Sequence, residues 1–146
     1  MQRRDILATN VATDGFWKRV LDDFGARQQV IEVKNYSPMT EDDFRQAHGY
    51  SGKDNGRLVI IVNRAKEEPP TEKERGWIKE LWDRHGTLIF LVSADFLARS
   101  ISKLRKPERV DYVDTHLGRF LDRYQRDYLQ LRHRTRRRRR RKSRRA

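Results

Sequence analysis

Hydrophobic and polar positions alternate along the chain with two periods, and the two trade places in a regular order. Residues 3–8, "RRDILA", read as a short strand. Phe16, Trp17, Val20, Leu21 and Phe24 recur at steps of three and four, the spacing of a helix over 15–24. Asp14 stands where a cap belongs, and Gly25 stands where that helix stops. A second strand is predicted over 28–35, broken by Ser37 and Pro38. Thr40, with Asp43 three residues on, makes a capping box for a helix to about Tyr50, followed by the loop "SGKDNG". "RLVIIVNR", 57–64, is apolar without alternation, which suits a central strand covered on both faces. Thr71 and Glu74 repeat the capping box before a helix bearing Trp77, Ile78, Leu81 and Trp82 and closed by His85 and Gly86. "TLIFLVSA", 87–94, is the last core strand, and a short helix follows to about Leu104. Beyond Pro107, Val110, Val113, Leu117, Leu121, Tyr124, Tyr128 and Leu131 mark a final amphipathic helix. No internal repeat is evident in the sequence.

The order is that of an α/β protein, with a central mixed sheet of about four strands flanked by helices. Neither G-x-G-x-x-G nor G-x-x-x-x-G-K-[ST] occurs, so the usual nucleotide loops are not signalled. The chain has 146 residues and no cysteine, which excludes disulfides and Cys-based zinc sites. No apolar run approaches the ~20 residues of a membrane span. The N-terminal residues lack a signal-peptide pattern. The expectation is a soluble cytoplasmic protein with no membrane partner. The net charge of +13 is concentrated: residues 132–146 hold eleven Lys or Arg and no acid, which leaves +2 for residues 1–131. A segment this poor in apolar residues is expected to be disordered alone. It has three readings: non-specific binding of nucleic-acid phosphate through Arg136, Arg137, Arg138, Arg139, Arg140 and Arg141, a nuclear address in a eukaryotic host, or an accident of a frameshifted or mis-called gene end.

One strand breaks the pattern. In "VIEVKNY", Glu32 and Lys34 interrupt Val30, Ile31 and Val33. Alternate residues of a strand share a face. Glu32 and Lys34 are therefore neighbours, roughly 6–7 Å apart along the strand. If the first two strands pair, Asp5 can lie beside Glu32. Two carboxylates together call for a cation, and Mg²⁺ or Mn²⁺ binds such a pair while keeping several waters. A lysine beside such a water can orient it or help its proton leave. The plainer reading of Glu32 and Lys34 is a solvent-facing ion pair on an edge strand, worth little.

D…E-x-K over adjacent strands resembles the PD-(D/E)XK nuclease superfamily, the restriction-endonuclease-like fold. "RRDILATN", "GFWKRVLDDFGARQQVIEVKNY", "QAHGY" and "GRLVIIVNR" extend the resemblance over about residues 3–100. It implies a nuclease-like core over 1–104, a C-terminal helix over 105–131 and the Arg-rich tail over 132–146. It implies a Mg²⁺- or Mn²⁺-dependent DNA endonuclease of restriction or repair type, a phosphodiester hydrolase. Asp5, Glu32 and Lys34 would be catalytic, with Asp5, Glu32 and the backbone carbonyl of Val33 as metal ligands. Gln46 and Tyr50, at the spacing Q-x-x-x-Y, would be accessory residues. The sequence departs from the pattern in two ways: Arg4 stands at the motif's leading proline, and four residues precede Asp5. These departures suggest a truncated member, or one domain of a longer protein. They also motivate an alternative, a catalytically degenerate nucleic-acid-binding module of the same fold. The final helix is a candidate for pairing two copies into a homodimer. The remaining polar residues read plainly. Asp42 and Asp43 are first-turn acids favoured by the helix dipole, and His48 and His85 are surface or capping residues. Trp77, Trp82 and Phe90 are core residues.

Overall fold

A computed structural model of the protein describes residues 4–34 and 38–129, with the backbone alone for Arg4, Asp5 and Pro107. Four strands form one sheet in the order β1-β2-β3-β4: β1 (Arg4–Thr9), β2 (Gln28–Val33), β3 (Leu58–Arg64) and β4 (Leu88–Ser93). β1 pairs antiparallel with β2, and β2, β3 and β4 run parallel. Helices α1 (Gly15–Phe24), α2 (Glu41–Gly49), α3 (Glu72–His85), α4 (Ala94–Leu104) and α5 (Val110–Tyr124) connect and cover the sheet. The sequence expectation of a four-stranded mixed sheet flanked by helices is met.

The order of burial follows the order of strands. β3 is the most apolar strand and lies between β2 and β4, with Leu58 to Asn63 all buried. Each such Leu or Ile contributes roughly 1.5–3 kcal/mol through burial. Ile31, Ile60 and Phe90 lie side by side in the register and share a face. Phe90 meets Phe120 and Tyr124 of α5, and α5 packs on α1 and α4. Glu32, Ile61 and Leu91 occupy the other face. Asp43 of α2 meets that face through Lys34, and α2 packs on α3 with Phe44 against Trp77. The sheet thus has α2 and α3 on one side and α1, α4 and α5 on the other.

Both predicted capping boxes are present in full. The Thr40 hydroxyl accepts the Asp43 amide, and the Thr71 hydroxyl accepts the Glu74 amide, while each acid accepts the amide of its threonine. Gly56 is a true requirement of the loop before β3. Its φ is +67°, and a Cβ there would stand 2.5 Å from the Ala26 nitrogen and the Phe24 carbonyl. The final helical segment is less regular than its periodicity suggests. It opens with a 3₁₀ turn at Pro107–Arg109, and its last described residues, Gln125–Leu129, form a π turn.

β4 is an edge strand, and one tyrosine blocks part of its outer edge. The buried Tyr124 hydroxyl donates to the Ile89 carbonyl at 2.8 Å and accepts from the Leu91 amide at 3.2 Å, as a neighbouring strand would. Tyr124→Phe is expected to cost about 1–3 kcal/mol, because it leaves two buried backbone groups unsatisfied. Burial pushes the Tyr124 hydroxyl far above the usual tyrosine value of 10.0. A folded-state value above the unfolded one means that this stability is whole below about pH 10 and is lost as pH rises beyond it. Urea denaturation from pH 8 to 11 checks both points. Tyr124→Phe should lower the curve and flatten its alkaline slope.

Candidate functional site

The two charges of β2 are buried, not solvent-facing. Glu32 is 0% exposed. The Lys34 ammonium lies 3.0 Å from Glu32 Oε1 and 3.0 Å from Asp43 Oδ1. The plainer expectation of an exposed edge pair is thereby corrected: β2 is an inner strand, covered on this face by α2. Asp43 is also more than a first-turn acid. Its Oδ2 accepts the backbone amide and hydroxyl of Thr40, and its Oδ1 receives Lys34. The capping box fixes the carboxylate, and the carboxylate fixes the lysine.

Glu32 is the unusual member. Among the described residues, neither of its buried oxygens has a hydrogen-bond donor. The Lys34 contact is close to Oε1 but not in hydrogen-bonding alignment, so its attraction is Coulombic. Lys34 also serves Asp43, so one ammonium faces two carboxylates in a place where water is excluded. A buried carboxylate in this condition is costly unless a cation or a donor reaches it. Asp5 stands directly opposite Glu32 in the β1–β2 register, and the β1–β2 ladder ends at Arg4↔Val33. The sequence reading placed Asp5 beside Glu32, and the backbone does so.

Among the described residues, no three His, Cys, Asp or Glu side chains group as ligands for one ion. A cation at Glu32 would draw its remaining ligands from main-chain carbonyls, from water and from residues whose side chains lie outside the described set. The donor set is hard oxygen, which fits Mg²⁺ or Mn²⁺. The orphaned Glu32 oxygens are the observation that such a cation fits.

Asn63 is a residue the sequence reading did not single out. It lies one position past the Val33↔Val62 pair, level with Lys34, where β3 gains a residue relative to β4. Bulges of this kind often stand beside functional sites. Its Oδ1 accepts from Arg64, and its buried Nδ2 has no acceptor among the described residues. A lone Asn closing an apolar strand was the available signal.

The accessory candidates separate. Gln46 is exposed on α2, one turn beyond Asp43, while Tyr50 caps the far end of that helix and packs on the hydrophobic core. Asn35 and Tyr36, and the tail arginines Arg136 to Arg141, lie outside the described residues. His48 and His85 come together although 37 positions apart, their rings stacked at 4.3 Å. Burial first, and then the His85 charge, hold the His48 imidazole below its ordinary value. Phe90 is buried as expected, and Trp77 and Trp82 pack against the core.

Fold and site together define a mixed α/β domain with a buried Glu-Lys-Asp cluster near the ends of its parallel strands. No family model and no solved structure matches the chain. A curated relative, the "Putative transposon gamma-delta 80.3 kDa protein" of Escherichia coli (strain K12), is 35% identical over 133 residues. That match takes in 90% of this chain and 19% of the relative, so the chain spans about a fifth of the relative's length. Among the described residues, no helix is long and apolar enough to cross a membrane.

Proposed function

We propose that the chain is a metal-dependent phosphodiester hydrolase of the PD-(D/E)XK kind, a DNA endonuclease domain on a restriction-endonuclease-like core. The observation that carries this reading is Glu32, buried beside Lys34, opposite Asp5 in the register and without a hydrogen-bond donor among the described residues. In this reading Asp5, Glu32 and the Val33 carbonyl hold Mg²⁺ or Mn²⁺. The cation, when bound, acidifies a water for attack on phosphorus. Lys34, anchored by Asp43, orients that water and helps its proton leave. Asp43 is thus a positioning residue. Gln46 faces the solvent near this end of α2, where it can meet the DNA backbone, and the Arg-rich tail adds non-specific affinity for phosphate. The word "transposon" in the relative's name suits a chain that acts on DNA.

The test is cleavage of supercoiled plasmid. Nicking or linearisation is expected with Mg²⁺ or Mn²⁺ and not with EDTA. Glu32→Gln keeps the side-chain volume and should cut the rate by more than the ~10–100-fold typical of changes outside the ligand shell. Cleavage in EDTA, or full activity of Glu32→Gln, would sink the mechanism. DNA binding without any cleavage or Mg²⁺ response would favour the degenerate binding module.

A further inference from the structure

On the sheet face away from Glu32, aromatic rings form a ladder between α4 and α5 that begins in the core and ends in solvent. Phe90 of β4 meets Phe120, and Phe120 stacks on Phe96 at 4.5 Å. Phe96 stacks on His116 at 5.5 Å, and His116 lies parallel to Tyr112 with centroids 6.1 Å apart. The inner rings are ordinary packing. The outer one is not, since Tyr112 is 52% exposed.

Cations surround that outer end. The Lys103 ammonium sits 4.3 Å from the Tyr112 ring centroid and 3.1 Å from its hydroxyl. Arg99 reaches Glu67 at 2.7 Å, and Arg123 makes no ion pair among the described residues. Together these groups line a cleft of about 300 Å³. Three cations and His116 thus face one acid. The cations act on both titratable rings. A hydrogen bond from Lys103, and then its charge, pull the Tyr112 hydroxyl below its ordinary value. Burial, and then Lys103 and Arg123, hold the His116 imidazole low.

We infer that this cleft binds one unstacked nucleotide of a single-stranded nucleic acid, its base on the Tyr112 ring in place of the Lys103 ammonium and its phosphate among Arg99, Lys103 and Arg123. Every base offers a π face to an aromatic ring, and such stacking tolerates any sequence. Arginine and lysine are the usual partners of phosphate oxygens. The volume lies at the lower limit of ligand pockets. It admits a splayed nucleotide and excludes a duplex. The inference does not rest on hydrolysis, because the cleft and Glu32 lie on opposite faces of the sheet.

Photocrosslinking tests it with the full chain and a short oligothymidylate carrying 5-iodouracil, the adduct being mapped by mass spectrometry. The Arg-rich tail raises overall affinity, so the readout is the position of the adduct and not the affinity. Adducts are expected on Tyr112 or His116. The double variant Lys103→Glu, Arg123→Glu should lower their yield roughly tenfold while the thermal melt stays unchanged. Should that variant fail to fold, Arg123→Gln alone carries the test, as it disturbs no ion pair among the described residues. Adducts confined to other segments, or a yield that neither variant lowers, would overturn the site. Glu32→Gln should crosslink as the unaltered chain does, so failure here is distinct from failure of the hydrolytic reading.

Discussion

Lys34→Ala should lower stability by about 3–5 kcal/mol, the usual cost of removing one partner from a buried ion pair. The substitution takes away the ammonium that stands between Glu32 and Asp43, both buried. For a domain whose whole stability is about 5–15 kcal/mol, that is a large fraction. Mg²⁺ should restore part of the loss if a cation binds at Glu32, since a ligand of the folded state alone adds about 2.7 kcal/mol at a hundred times its Kd. Urea denaturation with and without Mg²⁺, at constant ionic strength, makes the measurement. The double variant Glu32→Gln, Lys34→Met is the control. It removes the ammonium together with one of its two carboxylates and leaves Asp43 held by the Thr40 amide and hydroxyl, so it should lie nearer the unaltered chain and gain nothing from Mg²⁺. Equal stabilisation of both variants would mean that the ion acts elsewhere. The result bears on activity too, because a cleavage assay on Lys34→Ala alone mixes lost chemistry with lost fold.

Glu74→Leu should be comparably severe. Glu74 is 0% exposed, and both of its oxygens lie 2.9 Å from the Arg64 guanidinium. Oε1 also accepts the Thr71 amide, and Oε2 accepts the Met39 amide. One carboxylate therefore ties the end of β3, the start of α3 and the segment leading into α2. Leucine fills the space but leaves a buried guanidinium uncompensated, which costs about 3–5 kcal/mol. Hydrogen exchange should quicken most at the Met39 and Thr71 amides, ahead of global unfolding. Retained protection at both amides would show that Arg64 finds another partner.

Much of the fold was legible because its signals are local. Thr40 with Asp43, and Thr71 with Glu74, announce two helix starts, and both boxes form. The unbroken apolar run of β3 announces an inner strand. The pairing of Asp5 with Glu32 followed from two adjacent strands and one candidate acid in each. What stayed hidden is the second duty of each capping acid. Asp43 meets Lys34 at the end of β2, and Glu74 meets Arg64 at the end of β3. Each is a strand-end cation caught by the third residue of the helix that follows. The resemblance between the two units is invisible as a sequence repeat, because the loops differ and only the geometry recurs. A capping pattern reports one carboxylate oxygen, and the partner of the other depends on how the helix lies on the sheet. The same reason hid the His48–His85 stack, which unites two helices packed side by side.

The two edges of the sheet are unequal, and that inequality limits how copies of it could join. Tyr124 occupies the outer Ile89 carbonyl and Leu91 amide of β4, whereas among the described residues β1 pairs with β2 alone and exposes Ile6 and Leu7, at 51% and 60%. A sheet with two open edges can add copies without end. Among the described residues, β1 is the edge without such a block, so a second copy would meet less resistance there than at β4. A fibre that grew from both edges would first have to pull Tyr124 out of β4.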